Sequence, residues 1–78
     1  MACIKPDGSL TPSGRRILLE LPGPGSPEPM TIDALSAKSG VPMYRARASI
    51  REFLGAGLVS EESLLYRRTA AAENVLAK

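Results

Sequence analysis

Three arginines, Arg45, Arg47 and Arg51, fall within the stretch VPMYRARASIREFLG. A guanidinium is always charged and presents its N–H donors in a flat fork, so its chemistry is the grip of anions. It pairs with carboxylates, with phosphates, or with the hydrogen-bonding edge of guanine. Seven of the ten basic residues are arginines, and the rest of them are also clustered, at Arg15-Arg16 and Arg67-Arg68. No glutamate or aspartate stands four residues from Arg45, Arg47 or Arg51, so a helix through them would leave them unneutralised by its own side chains. Across residues 41–59, three arginines meet one glutamate, Glu52, a local surplus of +2.

Other chemistries find little support. Histidine is absent and Cys3 is the single cysteine, so neither a Cys/His zinc site nor an intrachain disulfide can form. Cys3 lacks a histidine to activate it, Lys5 is a weak substitute, and an inert thiol is expected. The carboxylates are scattered, and the adjacent pair Glu61-Glu62 falls in a turn-like segment, a poor place for paired acid and base. The stretch GPGSPEP lacks the lysine and following residues of a phosphate loop. We expect no enzyme, no cofactor and no metal. Runs of apolar residues are at most four long, against roughly 20 for a bilayer span, and the N-terminus has no signal-like apolar core. No membrane partner and a cytoplasmic location are expected, to which a single thiol is suited.

The 78 residues suffice for one small domain, 1–78, whose net charge of +2 permits a nucleic-acid partner without demanding one. Residues 1–10 contain an Asp7-Gly8 turn pair and read as a strand at Ala2 to Lys5 or a flexible end. Thr11 caps a first helix, Pro12 to Leu21, with Ile17, Leu18 and Leu21 on its inner face. PGPGSPEP, residues 22–29, has four prolines and two glycines and is a stiff connector. Thr31 caps a second helix, with Ile32 and Leu35 inward and Ala34 as a further candidate. Gly40 ends that helix, and a short glycine turn leads to a third, about 42–54.

At 100° per residue, Ala46, Ile50 and Phe53 of this third helix form its core stripe with Ser49 beside them. Tyr44, Arg47, Ala48 and Arg51 face away, flanked by Arg45 and Glu52. Leu54 is expected to pack beneath the hairpin that follows. That hairpin spans 58–68, with its turn placed at Ser60 to Ser63 and a return strand over 64–68. Thr69 caps a last helix carrying Ala72, Val75 and Leu76.

The segment IDALSAKSGVPMYRARASIREFLGAGLV resembles the helix-turn-helix and wing entry of small bacterial winged-helix transcription regulators. Leu35, Gly40-Val41 and Gly57-Leu58-Val59 stand at its characteristic places. The ending YRRTAAAENVL is similar to the wing's return strand and following helix in the MarR-like and related groups. The resemblance implies an α+β, mostly helical winged helix-turn-helix: a three-helix core, a short β-hairpin wing and a C-terminal helix. It implies duplex DNA as partner, bound with or without sequence specificity, and a role in transcription regulation. The third helix would be the recognition helix, with Pro42, Met43, Tyr44 and Arg45 in its first turn and Arg47, Ala48 and Arg51 along the same approach. Arg67 and Arg68 would lie on the wing, alternating sides, and Arg15 and Arg16 could reach a flanking phosphate. In so small a domain a homodimer through the first helix, the last helix or both is favoured.

Two features depart from the pattern. The wing tip carries Glu61-Glu62 where such wings often carry basic residues, and Pro42-Met43 offer few hydrogen bonds. They fit the alternative of a winged-helix protein–protein interaction module that does not bind DNA. A structural or assembly role is a third reading.

Overall fold

The computed structural model describes residues 3–77. It is a small α+β domain of four helices and one antiparallel hairpin: α1 Pro12–Glu20, α2 Ile32–Ser39, α3 Met43–Gly55, β1 Val59–Glu62, β2 Leu65–Arg68 and α4 Ala70–Leu76. Three helices start at threonines whose hydroxyls accept an orphan N–H of the first turn. The pairs are Thr11 with Gly14 N at 3.0 Å, Thr31 with Ala34 N at 3.1 Å and Thr69 with Ala72 N at 3.4 Å. Each cap contributes about 1 kcal/mol. The third helix starts one residue later than expected. Pro42 is its N-cap, with ψ at 157°, and the Pro42 carbonyl takes the N–H of Ala46 at 3.0 Å. Between α2 and α3 the chain reverses at Gly40, whose φ of 75° lies in the left-handed region.

The core is built from one face of each element. Ile17, Leu18 and Leu21 of α1 and its end meet Leu35 of α2 and the stripe Ala46, Ile50 and Phe53 of α3. Leu58, Val59, Tyr66 and Ala72 close it from the hairpin and α4. Phe53, Ile17, Leu18, Leu35 and Ile50 are its largest fully buried side chains, and burial of each stabilises the fold by about 1.5–3 kcal/mol. Ala34, an inward candidate from sequence, is exposed, while Ile32, Val75 and Leu76 pack partly against the core.

In the hairpin, β1 pairs with β2 from Val59↔Arg68 to Glu62↔Leu65. This moves the turn from the expected Ser60–Ser63 to Ser63-Leu64. With two residues between the last paired positions, a turn of the type I′ form matches the strand twist with φ > 0 at both. Ser63 has φ 54° and Leu64 φ 65°. The left-handed region costs a residue with a Cβ about 1–2 kcal/mol. Glu61 Oε2 steadies the turn by accepting from Leu64 N at 3.3 Å. On its other edge β2 is met by Met30, which exchanges two backbone hydrogen bonds with Tyr66 at 2.9 and 2.7 Å.

The N-terminal segment is docked on the core rather than frayed. Ala2 of the expected strand lies outside the described residues, but Ile4 bridges Leu10 and the Cys3 carbonyl accepts Thr11 N at 3.0 Å. The Glu52 carboxylate of α3 reaches the backbone of this segment, taking Cys3 N at 3.0 and 3.1 Å and Ile4 N at 3.1 Å. Cys3 is buried, with its Sγ 3.1 Å from Ser49 Oγ. Gly14 makes the crossing possible, because a Cβ there would overlap the Cys3 backbone.

These observations set two effects against each other in Gly14→Ala. Helix propensity favours alanine by about 1 kcal/mol. Forcing the Cys3 backbone away should cost about 1–3 kcal/mol, with the loss of the Glu52 contacts added to it. Net destabilisation is expected, read as a lowered midpoint in thermal or urea unfolding followed by circular dichroism. A raised midpoint would contradict the close approach.

Candidate functional site

α3 turns its faces as its sequence periodicity expects. Ala46, Ser49, Ile50 and Phe53 are buried, while Tyr44, Arg47, Ala48 and Arg51 are exposed, with Tyr44 at 73%. These four stand at positions i, i+3, i+4 and i+7 and so form one row along the helix. Behind the row lies the core stripe, and hydrogen bonds order the segments around α3. On the α2 side the Ser36 hydroxyl donates to the Val41 carbonyl at 2.6 Å, and the Ser39 hydroxyl to Leu35 O at 2.7 Å. On the far side are Glu52 and Ser49 with the N-terminal segment. At its end Leu58 N returns to Phe53 O at 2.9 Å.

The seven arginines divide into two groups. Three serve helix ends. Arg15 Nη1 donates to Leu76 O of α4 at 3.0 Å, Arg16 Nη2 to Ser39 O of α2 at 3.3 Å, and Arg68 Nη1 to Leu19 O of α1 at 3.3 Å. The C-terminal end of a helix presents unpaired carbonyls and a partial negative charge, which a guanidinium complements. Arg68 also pairs its Nε with Glu73 Oε1 at 2.7 Å, a charge contact whose N–H is not aligned on the carboxylate. Arg15 and Arg16, expected near a flanking phosphate, and Arg68, expected on the wing, thus sit against helix termini. Their partners are 61, 23 and 49 residues away in sequence, where no local pattern signals them.

The remaining four are Arg45, Arg47, Arg51 and Arg67. Arg47 and Arg51 are exposed and, among the described residues, make no hydrogen bond or ion pair. Arg45 is half-buried at the flank of the row and is engaged within the protein. Arg67 stands opposite Ser60 on the face of β2 away from Arg68 and is half-buried, its Nε buried without a partner.

A cleft of about 340 Å³ separates the start of α2, the first turns of α3 and the hairpin tip; Met43, Arg47, Leu64 and Tyr66 line it, with Asp33 at the α2 side. A second hollow of about 210 Å³ lies further along α3 between Arg47, Arg51, Leu54 and Tyr66. Arg47 borders both, so one continuous surface runs from Leu64 past Arg47 to Arg51. Leu54, expected beneath the hairpin, keeps 36% exposure on this surface. The hairpin tip itself is Ser63-Leu64, with Leu64 69% exposed, and the exposed Glu61 and Glu62 stand just behind it.

Among the described residues no cluster of three or more potential ligand side chains could hold a metal ion. No helix among them is long and apolar enough to cross a membrane. No protein-family model, curated protein or solved structure matches the chain.

The division of the arginines is testable through stability. Arg68→Ala removes the contacts to Leu19 O and Glu73 and should destabilise by about 1–2 kcal/mol. Arg47→Ala removes an exposed side chain and should stay within about 0.5 kcal/mol. Urea unfolding of both variants checks this, and equal losses would contradict the division.

Proposed function

We propose that the chain is a winged helix-turn-helix domain that binds duplex DNA through α3, in the service of transcription regulation. The order α1, Met30, α2, glycine turn, α3, hairpin supports the fold reading, together with the pairing of Met30 on the edge of β2. The observation that carries the function is the row Tyr44, Arg47, Ala48 and Arg51. It is exposed and backed by a packed core, and its two guanidinium groups are left without protein partners.

An α-helix with its side chains is about 10–12 Å across and the major groove about 12 Å wide, so α3 fits lengthwise. Arg47 and Arg51 lie one turn apart on the inserted face, where each can take a guanine edge or a phosphate. Ala48 between them has a methyl group suited to the methyl of thymine and is small enough for close approach. The Tyr44 hydroxyl can donate to a backbone phosphate at the helix start. Met43 sits at the cleft, Arg45 at the flank and Arg67 on the hairpin, in reach of the neighbouring backbone rather than of base edges. Arginines outside this set are held at helix ends and contribute to the fold.

Titration into a labelled random-sequence duplex, followed by fluorescence anisotropy at several salt concentrations, tests the reading. With two to four phosphate contacts, log K should fall with log salt at a slope of about −2 to −4. Arg47→Ala and Arg51→Ala should each weaken binding, and each that grips a phosphate should reduce the slope by about 1. Absence of binding at low salt would overturn the DNA reading and turn the search to a protein partner.

A further inference from the structure

Resting on the DNA reading above, we infer that Leu64 is an apolar wedge that the hairpin tip presses into the minor groove beside the site read by α3. Ser63 and Leu64 occupy successive left-handed backbone positions, with φ 54° and 65°. Asparagine and glycine adopt that geometry with least strain. A leucine there is strained and, at 69% exposure, gains little burial in return. Backbone strain of this kind gathers at sites of function, where the surrounding structure holds it in place.

The surroundings do hold it. The Glu62↔Leu65 pairing closes the turn, and Glu61 Oε2 accepts the Leu64 N–H at 3.3 Å. The tip is also joined to the proposed recognition surface, since Leu64 and Arg47 line the same cleft. With α3 in the major groove, the tip, which shares a cleft with Arg47, would reach toward the adjoining minor groove.

Charge decides what the tip does there. Glu61 and Glu62 are exposed and repel phosphate, so the hairpin does not grip the backbone as a basic wing would. What it presents foremost is an isobutyl group, the type of side chain that architectural proteins insert between base steps to unstack and kink the duplex. The carboxylates also bias the position. A narrow A-tract groove concentrates negative potential and would reject them, while a pyrimidine–purine step opens with least resistance. The preferred site thus places a flexible step, not an A-tract, under the tip.

The test uses the full chain and a duplex labelled at both ends, with end-to-end energy transfer reporting the bend and anisotropy the affinity. The native protein should shorten the end-to-end distance. Leu64→Asn suits the left-handed position, so its melting temperature should stay level or rise, while the bend is lost and affinity falls about tenfold, or 1.4 kcal/mol. Its salt slope should match the native value, because no charge is removed. Leu64→Met should keep the bend. If Leu64→Asn bends and binds as the native protein does, the wedge is overturned while the DNA reading stands. If the native protein binds no DNA, the DNA reading itself fails and the wedge with it. A native complex with straight DNA overturns the wedge alone.

Discussion

A guanidinium at the end of a helix organises this small fold. A chain of 78 residues buries a limited core, and its single cysteine rules out an internal disulfide. Its short helices leave carbonyls unpaired at their C-terminal ends. Neither α1 nor α4 carries a basic residue in its own last turn, and both borrow one from elsewhere, Arg68 for α1 and Arg15 for α4. Arg16 reaches the end of α2 as well, where the last turn already carries Lys38. Each such bond satisfies an acceptor, complements the helix dipole and ties together elements distant in sequence. The arginines of α1 and β2 thereby act as fasteners, so the net positive charge is a poor guide to the binding surface. What matters is which guanidinium groups are left over.

A second fastening comes from an acid. Glu52 lies next to Arg51 on α3 yet faces the N-terminal segment, where it takes backbone N–H groups of Cys3 and Ile4. The segment in turn lies across Gly14 and brings Cys3 against Ser49. Clamped between this arm, α2 and the hairpin, α3 keeps its inner stripe in the core and its outer row in a fixed orientation. The backbone that carries this row is thus ordered in advance, so a contact there would have only the exposed side chains left to order.

The sequence made legible what depends on neighbours in the chain. Thr11, Thr31 and Thr69 announced three helix starts, and Gly40 the turn between α2 and α3. The 3.6-residue period placed Ala46, Ile50 and Phe53 inside and Tyr44, Arg47, Ala48 and Arg51 outside. What stayed hidden depends on contacts across the fold. Nothing local to Glu52 points to Cys3, and nothing local to Gly14 points to the Cys3 backbone that crosses it. The hairpin turn was misplaced for a different reason. Ser60 to Ser63 is polar and Leu64 is not, so turn chemistry favoured the former, while strand register put the reversal at Ser63-Leu64. Local preference lost there to the pairing of Glu62 with Leu65.

That misplacement bears directly on function. With the turn at Ser60 to Ser63, the carboxylates Glu61 and Glu62 would form the tip and oppose a polyanion. With the observed register they stand in the first two pairs behind it, Glu61 bonded back to the Leu64 N–H, and the exposed Leu64 at the tip is apolar. An acidic hairpin and a basic helix on one surface then cease to conflict. On the proposed DNA reading, the helix supplies attraction through Arg47 and Arg51. The carboxylates set how closely phosphates may approach the hairpin, and they restrict contact there to places where the two strands lie well apart. Repulsion placed beside attraction raises specificity even where it lowers affinity. On that reading the carboxylates of the hairpin help to select the site that the arginines of α3 bind.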